Sequence, residues 1–397
     1  MTKKKEIQHV FIIGSKGIPA NYGGFETFVD KLTFYNKNNQ IKYHVSCAVY
    51  NKKEYKKLDK EFEYNNANCF RINVPNIGPG KAIIYDIKSI AYCIKYIKRN
   101  KIKKPIIYVL ACRIGPFISI YKKKIKKLNG KLYVNPDGHE WLRAKWSAPV
   151  KEYWKLSERL MVKHSDLLIC DNTYIEKFIH ENYSKYNPKT TFIAYGAELE
   201  SSNLTENDKK IKDWYKEHNV RANNYYVAVG RLVPENNFET MVKEFMKSNT
   251  DKDFILINKI DEKFLNELRQ KLNFETDKRI KFVGGIYDQD LLKYIRENAY
   301  GYIHGHEVGG TNPALLESLG ITKLNLLFDV CFNREVGSDA AIYWNKEENN
   351  LKNVLEEAYK LSKKELEELG KKAKERILKN YSWNHIVSKY EKVLLKK

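Results

Sequence analysis

The sequence predicts an α/β protein: two doubly wound, Rossmann-like domains, each a largely parallel sheet flanked by helices, followed by further helices. Three observations carry this. Short apolar runs alternate with longer amphipathic stretches, and strands joined through helices run parallel. The alternation occurs twice, on either side of the polar segment Ser201–Asp208. At 397 residues, 43% hydrophobic and 13% aromatic, the chain can fill two cores of ordinary size. The domains are expected at 1–200 and 201–380, with 381–397 packing back on the first.

The first set opens with the strand His9–Ile13 and a loop holding Gly14, Gly17, Gly23 and Gly24, before a helix from about Thr27. Glycines crowded between a first strand and a first helix mark a place where backbone approaches a ligand closely. The loop is not G-x-G-x-x-G, and no acidic residue ends the second strand in the dinucleotide pattern, which disfavours NAD. Further strands read at Tyr43–Tyr50, Cys69–Val74, Ile106–Ala111, Lys131–Asn135, Leu167–Asp171 and Thr190–Ile193. Between them lie helical stretches, notably Ala82–Asn100, Pro116–Leu128 and Lys151–Lys163.

The second set begins with Tyr225–Val229 and the turn Gly230-Arg231-Leu-Val-Pro234-Glu-Asn236-Asn. Strands follow at Phe254–Ile257, Ile280–Val283, Gly301–Ile303 and Leu324–Phe328; the stretch Leu351–Lys397 is helical with a break near Tyr381-Ser-Trp383. Its most informative segment is His304–Glu317, HGHEVGGTNPALLE. Gly309, Gly310, Thr311 and Asn312 form a strand-to-helix turn, and Pro313 suits the first turn of the helix. Unpaired N–H groups at such a helix end favour a phosphate or a sugar hydroxyl. Glu317, about one turn further on, can reach a neutral diol such as a ribose; alternatively it is a solvated glutamate. Arg231 either grips a diphosphate or pairs at the surface with Glu235.

A third cluster is Asn135-Pro-Asp137-Gly-His139-Glu140-Trp-Leu-Arg143-Ala-Lys145-Trp-Ser147. Asp137 and Glu140 can orient an acceptor hydroxyl, with Arg143 and Lys145 meeting an anionic group. The competing reading is a local turn in which Asp137 satisfies backbone N–H groups. His139 stands alone, and His304 and His306 are two histidines without a third ligand, so no metal is expected.

Charge is uneven. The chain carries a net +22; residues 1–200 hold 37 basic against 18 acidic residues, and residues 201–397 hold 34 against 31. The first half should meet the anionic partner. The stretches 82–104 and 116–127 interleave lysines with Ile94, Tyr96, Ile97, Phe117, Ile118, Tyr121 and Ile125, either for an anionic lipid surface or as ordinary crossover helices. Six scattered cysteines point to free thiols in a reducing cytosol. The apolar run after MTKKKEIQH is too short for a signal peptide, and no run reaches membrane-spanning length.

The segments IIGSKGIPANYGGFETFVDKL, LACRIGPFI, VNPDGHEWLRAKWS, VGRLVPENNFETMVKEF and GHEVGGTNPALLE resemble GT-B glycosyltransferases of retaining family 4. They most resemble bacterial capsule rhamnosyltransferases, which move rhamnose from a dTDP-sugar to undecaprenyl-diphosphate-linked glucose. The resemblance implies a cleft with the donor bound by Gly23, Gly24, Arg231, Asn236, Gly309, Gly310, Thr311, Asn312 and Glu317. It implies an acceptor bound by Glu26, Arg113, Asp137, Glu140, Arg143 and Lys145, with Asp137, Arg231 and Glu317 carrying the chemistry. The substrate would be a nucleotide sugar (dTDP-rhamnose) and the partners a lipid-linked saccharide and an anionic membrane. The enzyme would need no cofactor and work peripherally on the cytoplasmic face of the bacterial membrane. Two departures stand out. The first glutamate of the E-x7-E element is replaced by Gly309, and the lysine of the diphosphate clamp by Asn236. A UDP-hexose donor is the alternative within this fold. Nucleic-acid binding is the reading from another class, and the glycine-rich turns argue against it.

Overall fold

The computed structural model describes residues 7–21, 23–143 and 146–396. It divides into two compact units, Met1–Gly196 with Trp383–Lys397, and Ala197–Ser382.

In the first unit the strands are β1 (Gln8–Ile13), β2 (Ile41–Val49), β3 (Glu61–Tyr64), β4 (Ala67–Asn73), β5 (Ile106–Leu110), β6 (Lys131–Asn135), β7 (Leu167–Cys170) and β8 (Thr190–Phe192). Among the described residues they form one sheet in the order β3-β4-β2-β1-β5-β6-β7-β8. Every pair is parallel except β3–β4. That hairpin is absent from the sequence reading. Its two-residue turn, Asn65 and Asn66, has φ of 48° and 59°, the left-handed pair that matches strand twist. The strand order reverses between β1 and β5. In doubly wound sheets such a reversal is where ligands bind, at the carboxyl ends of the strands.

Central strand β5 is apolar throughout and β1 is apolar from Val10 on, as a sheet covered on both faces requires: Val10–Ile13 and Ile107–Leu110 are essentially inaccessible. Burying each such side chain is worth roughly 1.5–3 kcal/mol. The chain's last helix, Trp383–Leu394, belongs to this unit. Its Tyr390 hydroxyl lies 3.1 Å from that of Tyr108 on β5, and Trp383 stacks on Tyr35.

The second unit repeats the plan with β9 (Tyr225–Val229), β10 (Asp253–Ile257), β11 (Ile280–Gly284), β12 (Gly301–His304), β13 (Leu324–Phe328) and β14 (Ile342–Trp344). The order is β11-β10-β9-β12-β13-β14, all parallel, and it reverses between β9 and β12. One core, around Tyr226, Phe245, Phe254 and Trp344, fills one face of the sheet; another, around Tyr225, Ile255 and Tyr302, fills the opposite face. Side chains alternating along β9 feed both.

The two lysine-rich helices resolve mostly in favour of ordinary crossovers. In the helix Lys81–Arg99, Ile90, Ile94 and Ile97 are buried, and in Gly115–Lys126, Ile118 and Ile125 are buried. These apolar residues recur at helical spacing and face the sheet. Phe117 and Ile120 are the exceptions, 41% and 55% exposed. No helix among the described residues is long and apolar enough to cross a membrane.

Candidate functional site

Each unit gathers polar residues where its strand order reverses. In the second unit, β9 ends in Gly230 and Arg231, and β12 ends in the His304–Asn312 segment. Arg231 is exposed, and among the described residues its guanidinium makes no ion pair or hydrogen bond; it is not paired with Glu235. The unengaged fork is therefore available to an anion.

Asn236 is engaged with neighbouring groups at this site. Its Nδ2 donates to the Arg231 carbonyl at 2.7 Å, and its Oδ1 lies 2.7 Å from Nδ1 of His306. Only the amide nitrogen can donate to a carbonyl, so this arrangement fixes the amide orientation and makes His306 Nδ1 the donor. Asn237 adds a second link, from Nδ2 to the Gly305 carbonyl at 2.7 Å and to Glu307 Oε2 at 3.0 Å. Glu307 also pairs with Lys346 at 2.5 Å, and its N–H donates to the Glu235 carbonyl. The Arg231 and His304–Asn312 loops are thus joined through neighbouring asparagines. Glu307 and Lys346 were missed in the sequence. The signal for Glu307 was a lone acid just before a GG turn.

Gly309 has φ of +141°, a conformation side chains resist, and a Cβ there would stand 3.2 Å from His306 Nε2. The glutamate of the family 4 pattern cannot be restored here without strain. Asn312 caps the helix Pro313–Ile321, accepting from Ala314 N–H at 2.9 Å, while Thr311 is buried. The positive end of this helix lies beside Gly309 and Gly310. Glu317 is 34% exposed; its Oε2 accepts from the buried Arg296 at 2.6 Å. His304 is buried, and burial, then His306 and Arg296, push its ring well below the ordinary value, so it stays neutral.

The first unit's reversal point is held together differently. Gly23 has φ of +131°, and a Cβ there would fall 1.9 Å from Glu26 Oε2. The other Glu26 oxygen accepts from Lys16 N–H at 2.6 Å, so this buried acid closes the glycine loop over the start of its helix. Gly24 is open, with no atom within 4 Å of a Cβ. Arg113 is turned inward: Nη1 donates to the Gly14 carbonyl at 2.8 Å and to buried Asp86 at 3.2 Å. Burial pushes Asp86 up to about 6, against the pull of Arg113. Arg113 thus ties β1 to β5 instead of presenting an open cation.

Asp137 follows β6 in the left-handed region, φ +61°, with its N–H held by Asn135 Oδ1 at 2.7 Å. Burial first, then Glu140, raises its carboxyl above the ordinary range, while Arg143 opposes. Glu140 and Arg143 form an ion pair, and Trp146 Nε1 donates to Glu140 at 3.0 Å. Arg143 is therefore neutralised locally. Lys145 lies outside the described residues. Sequence reasoning also missed Glu158, buried and electrostatically coupled to Asp137. Burial pushes it up to about 7, although Tyr183 donates to it at 2.5 Å.

Comparison with known proteins gives the same architecture. Residues 7–198 match a family described as a domain of unknown function, DUF1972. The uncharacterized glycosyltransferase MJ1069 of Methanocaldococcus jannaschii is 23% identical over 388 residues, covering 94% of each chain. A sucrose-phosphate synthase from Thermosynechococcus elongatus superposes with a TM-score of 0.77 at 14% identity, covering 97% of this chain and 98% of that one. A trehalose-6-phosphate structure from E. coli, bound with UDP-2-fluoro glucose, gives 0.74 at 11% identity, covering 98% of this chain and 99% of that one. The fold is GT-B, two Rossmann-like units with helices completing the chain.

Proposed function

We propose that this protein is a glycosyltransferase that takes a nucleotide-sugar donor, binding the donor diphosphate at the reversal point of its second unit. The observation that carries the proposal is Arg231: a guanidinium at the end of β9 unengaged among the described residues, its backbone clipped through Asn236 to His306 in the segment leading to the helix Pro313–Ile321. Charge building on a departing diphosphate is stabilised by a cation and helix-end donors already in place. The likeness over 94% of the chain to a protein named as a glycosyltransferase supports the same reading, as does the donor analogue in a fold neighbour.

The finer assignment is a retaining transferase that moves rhamnose from dTDP-rhamnose to an undecaprenyl-diphosphate-linked sugar in surface polysaccharide assembly. It rests on the motif resemblance. A UDP-hexose donor is compatible with every contact described. Asp137 is the group proposed to orient the acceptor hydroxyl, its raised carboxyl making it a stronger base once ionised. The basic first unit would meet the lipid-linked acceptor at an anionic membrane through Phe117, Ile120 and the exposed Lys123, Lys124 and Lys127.

The test is incubation with dTDP-, UDP- and GDP-sugars, with and without a polyprenyl-diphosphate glucose. The proposal expects one nucleoside diphosphate to be released in an acceptor-dependent way. Release from none of the donors would overturn it. Chelation of divalent cations is expected to leave turnover unchanged.

A further inference from the structure

We infer that Arg296 is a positioning residue for the donor: it holds the Glu317 carboxylate so that one oxygen reads a hydroxyl of the nucleotide's sugar. This rests on the donor-site reading above. Arg296 sits on the helix Gln289–Glu297 and is 2% exposed. Its Nη1 donates to Glu317 Oε2 at 2.6 Å, and among the described residues no other carboxylate pairs with it. Its Nε is buried without a partner.

A guanidinium withdrawn from water is costly unless paired, and here its counter-charge comes from a residue that is itself partly open to solvent. The side chains are 3% and 34% exposed, so the pair is anchored at the arginine and presented at the glutamate. Tyr302 and His304 both feel the Arg296 charge, and both are buried and neutral, so neither balances it. A carboxylate serving only to balance Arg296 would be best placed inside, with both oxygens hydrogen-bonded.

Instead Glu317 Oε1 has no hydrogen-bond partner among the described residues. It stands about one turn into the helix whose start carries the Gly309–Asn312 turn. Asn312 caps that helix, and the Thr322 hydroxyl at its far end donates to the Arg296 carbonyl at 3.1 Å. The helix, the arginine and the carboxylate are therefore fixed to one another. With Oε2 held, Glu317 offers an oriented acceptor to a hydroxyl and loses little freedom when it binds. Without Arg296 the same carboxylate could swing into water, keeping its charge and losing its aim.

The experiment is calorimetric titration of the full chain with two matched pairs: UDP against 2′,3′-dideoxyuridine diphosphate, and thymidine diphosphate against its 3′-deoxy analogue. Wild-type protein is expected to bind the hydroxyl-bearing member of at least one pair about tenfold more tightly. In Arg296→Met that preference should fall below about threefold, with diphosphate binding retained through Arg231. Arg296→Lys, which keeps the charge without the fork, should fall between them while melting close to wild type. Full preference in Arg296→Met overturns the inference; should that variant not fold, full preference in Arg296→Lys does so. Equal wild-type affinity for both members of each pair also overturns it. Wild-type binding to none of the four nucleotides, and to GDP neither, overturns the donor-site reading itself, and the inference with it.

Discussion

The two units place polar residues at the same topological position and use them in opposite ways. In the first, the reversal between β1 and β5 is closed by its own contacts, Arg113 on Gly14 and Asp86 and Glu26 on Lys16, and after neighbouring β6 Glu140 pairs with Arg143. In the second, the internal contacts stop one residue short. Asn236 secures the backbone of Arg231, whose guanidinium is unengaged among the described residues. An arginine at a strand end is therefore not by itself a ligand; what distinguishes Arg231 from Arg113 is where its hydrogen bonds already go. On the proposed reading, the first unit takes a neutral hydroxyl near Asp137 and the second takes an anion.

The largest expected effect sharpens this contrast. Arg231→Ala should lower turnover by a few powers of ten, on the order of 3–4 kcal/mol, because one preorganised cation opposite the leaving group is lost. Steady-state release of the nucleoside diphosphate measures it. Arg113→Ala should act through stability instead, lowering the melting temperature, since it strips buried Asp86 of its partner.

A second test concerns pH. Glu158 in the first unit is raised from its ordinary value to about 7 by burial. A carboxyl raised on folding binds its proton more tightly in the native state, so its stabilisation is fully present below about pH 4.5 and is lost as pH rises towards 7. The loss is on the order of 3 kcal/mol. Melting of the wild type should decline across this window, and Glu158→Gln should flatten the decline. A slope unchanged by Glu158→Gln would remove the acid from this role.

Asn236→Ala should be milder, about 1–2 kcal/mol in transition-state binding, because it frees the Arg231 backbone and the His306 ring without removing a charge. Wild-type turnover in that variant would mean that the two loops hold their places without the clip. The smallest effect is at the surface. Lys123, Lys124 and Lys127 changed together to Gln should weaken sedimentation with anionic vesicles at low salt, by roughly 1 kcal/mol per residue at most. Lys122 is left out because it pairs with Asp166. Unchanged sedimentation would assign these lysines to solvent alone.

Much of the architecture was legible because it is periodic. Alternating strands and helices, the polar stretch after Gly196, and glycines between a strand and a helix are local signals. The β3–β4 hairpin lay behind an Asn-Asn turn, a weaker mark than Asn-Gly. The lysine-rich helices left a sheet-facing and a lipid-facing reading open, and the burial of Ile90, Ile94 and Ile97 shows an apolar stripe inside the fold. What could not be read is pairing across distance. Asn236 meets His306 from 70 positions away, and Arg296 meets Glu317 from 21. Whether Arg231, Arg113 or Arg143 carries an open charge depends on such partners, and side-chain type at a strand end does not reveal them.

The most direct test of the account is binding of a nucleoside diphosphate to the whole chain, compared between wild type, Arg231→Ala and Asp137→Asn. The account predicts that UDP or thymidine diphosphate binds the wild type, that Arg231→Ala weakens it at least about tenfold, and that Asp137→Asn leaves it unchanged. Equal affinity in wild type and Arg231→Ala, or loss of binding in Asp137→Asn alone, would contradict it.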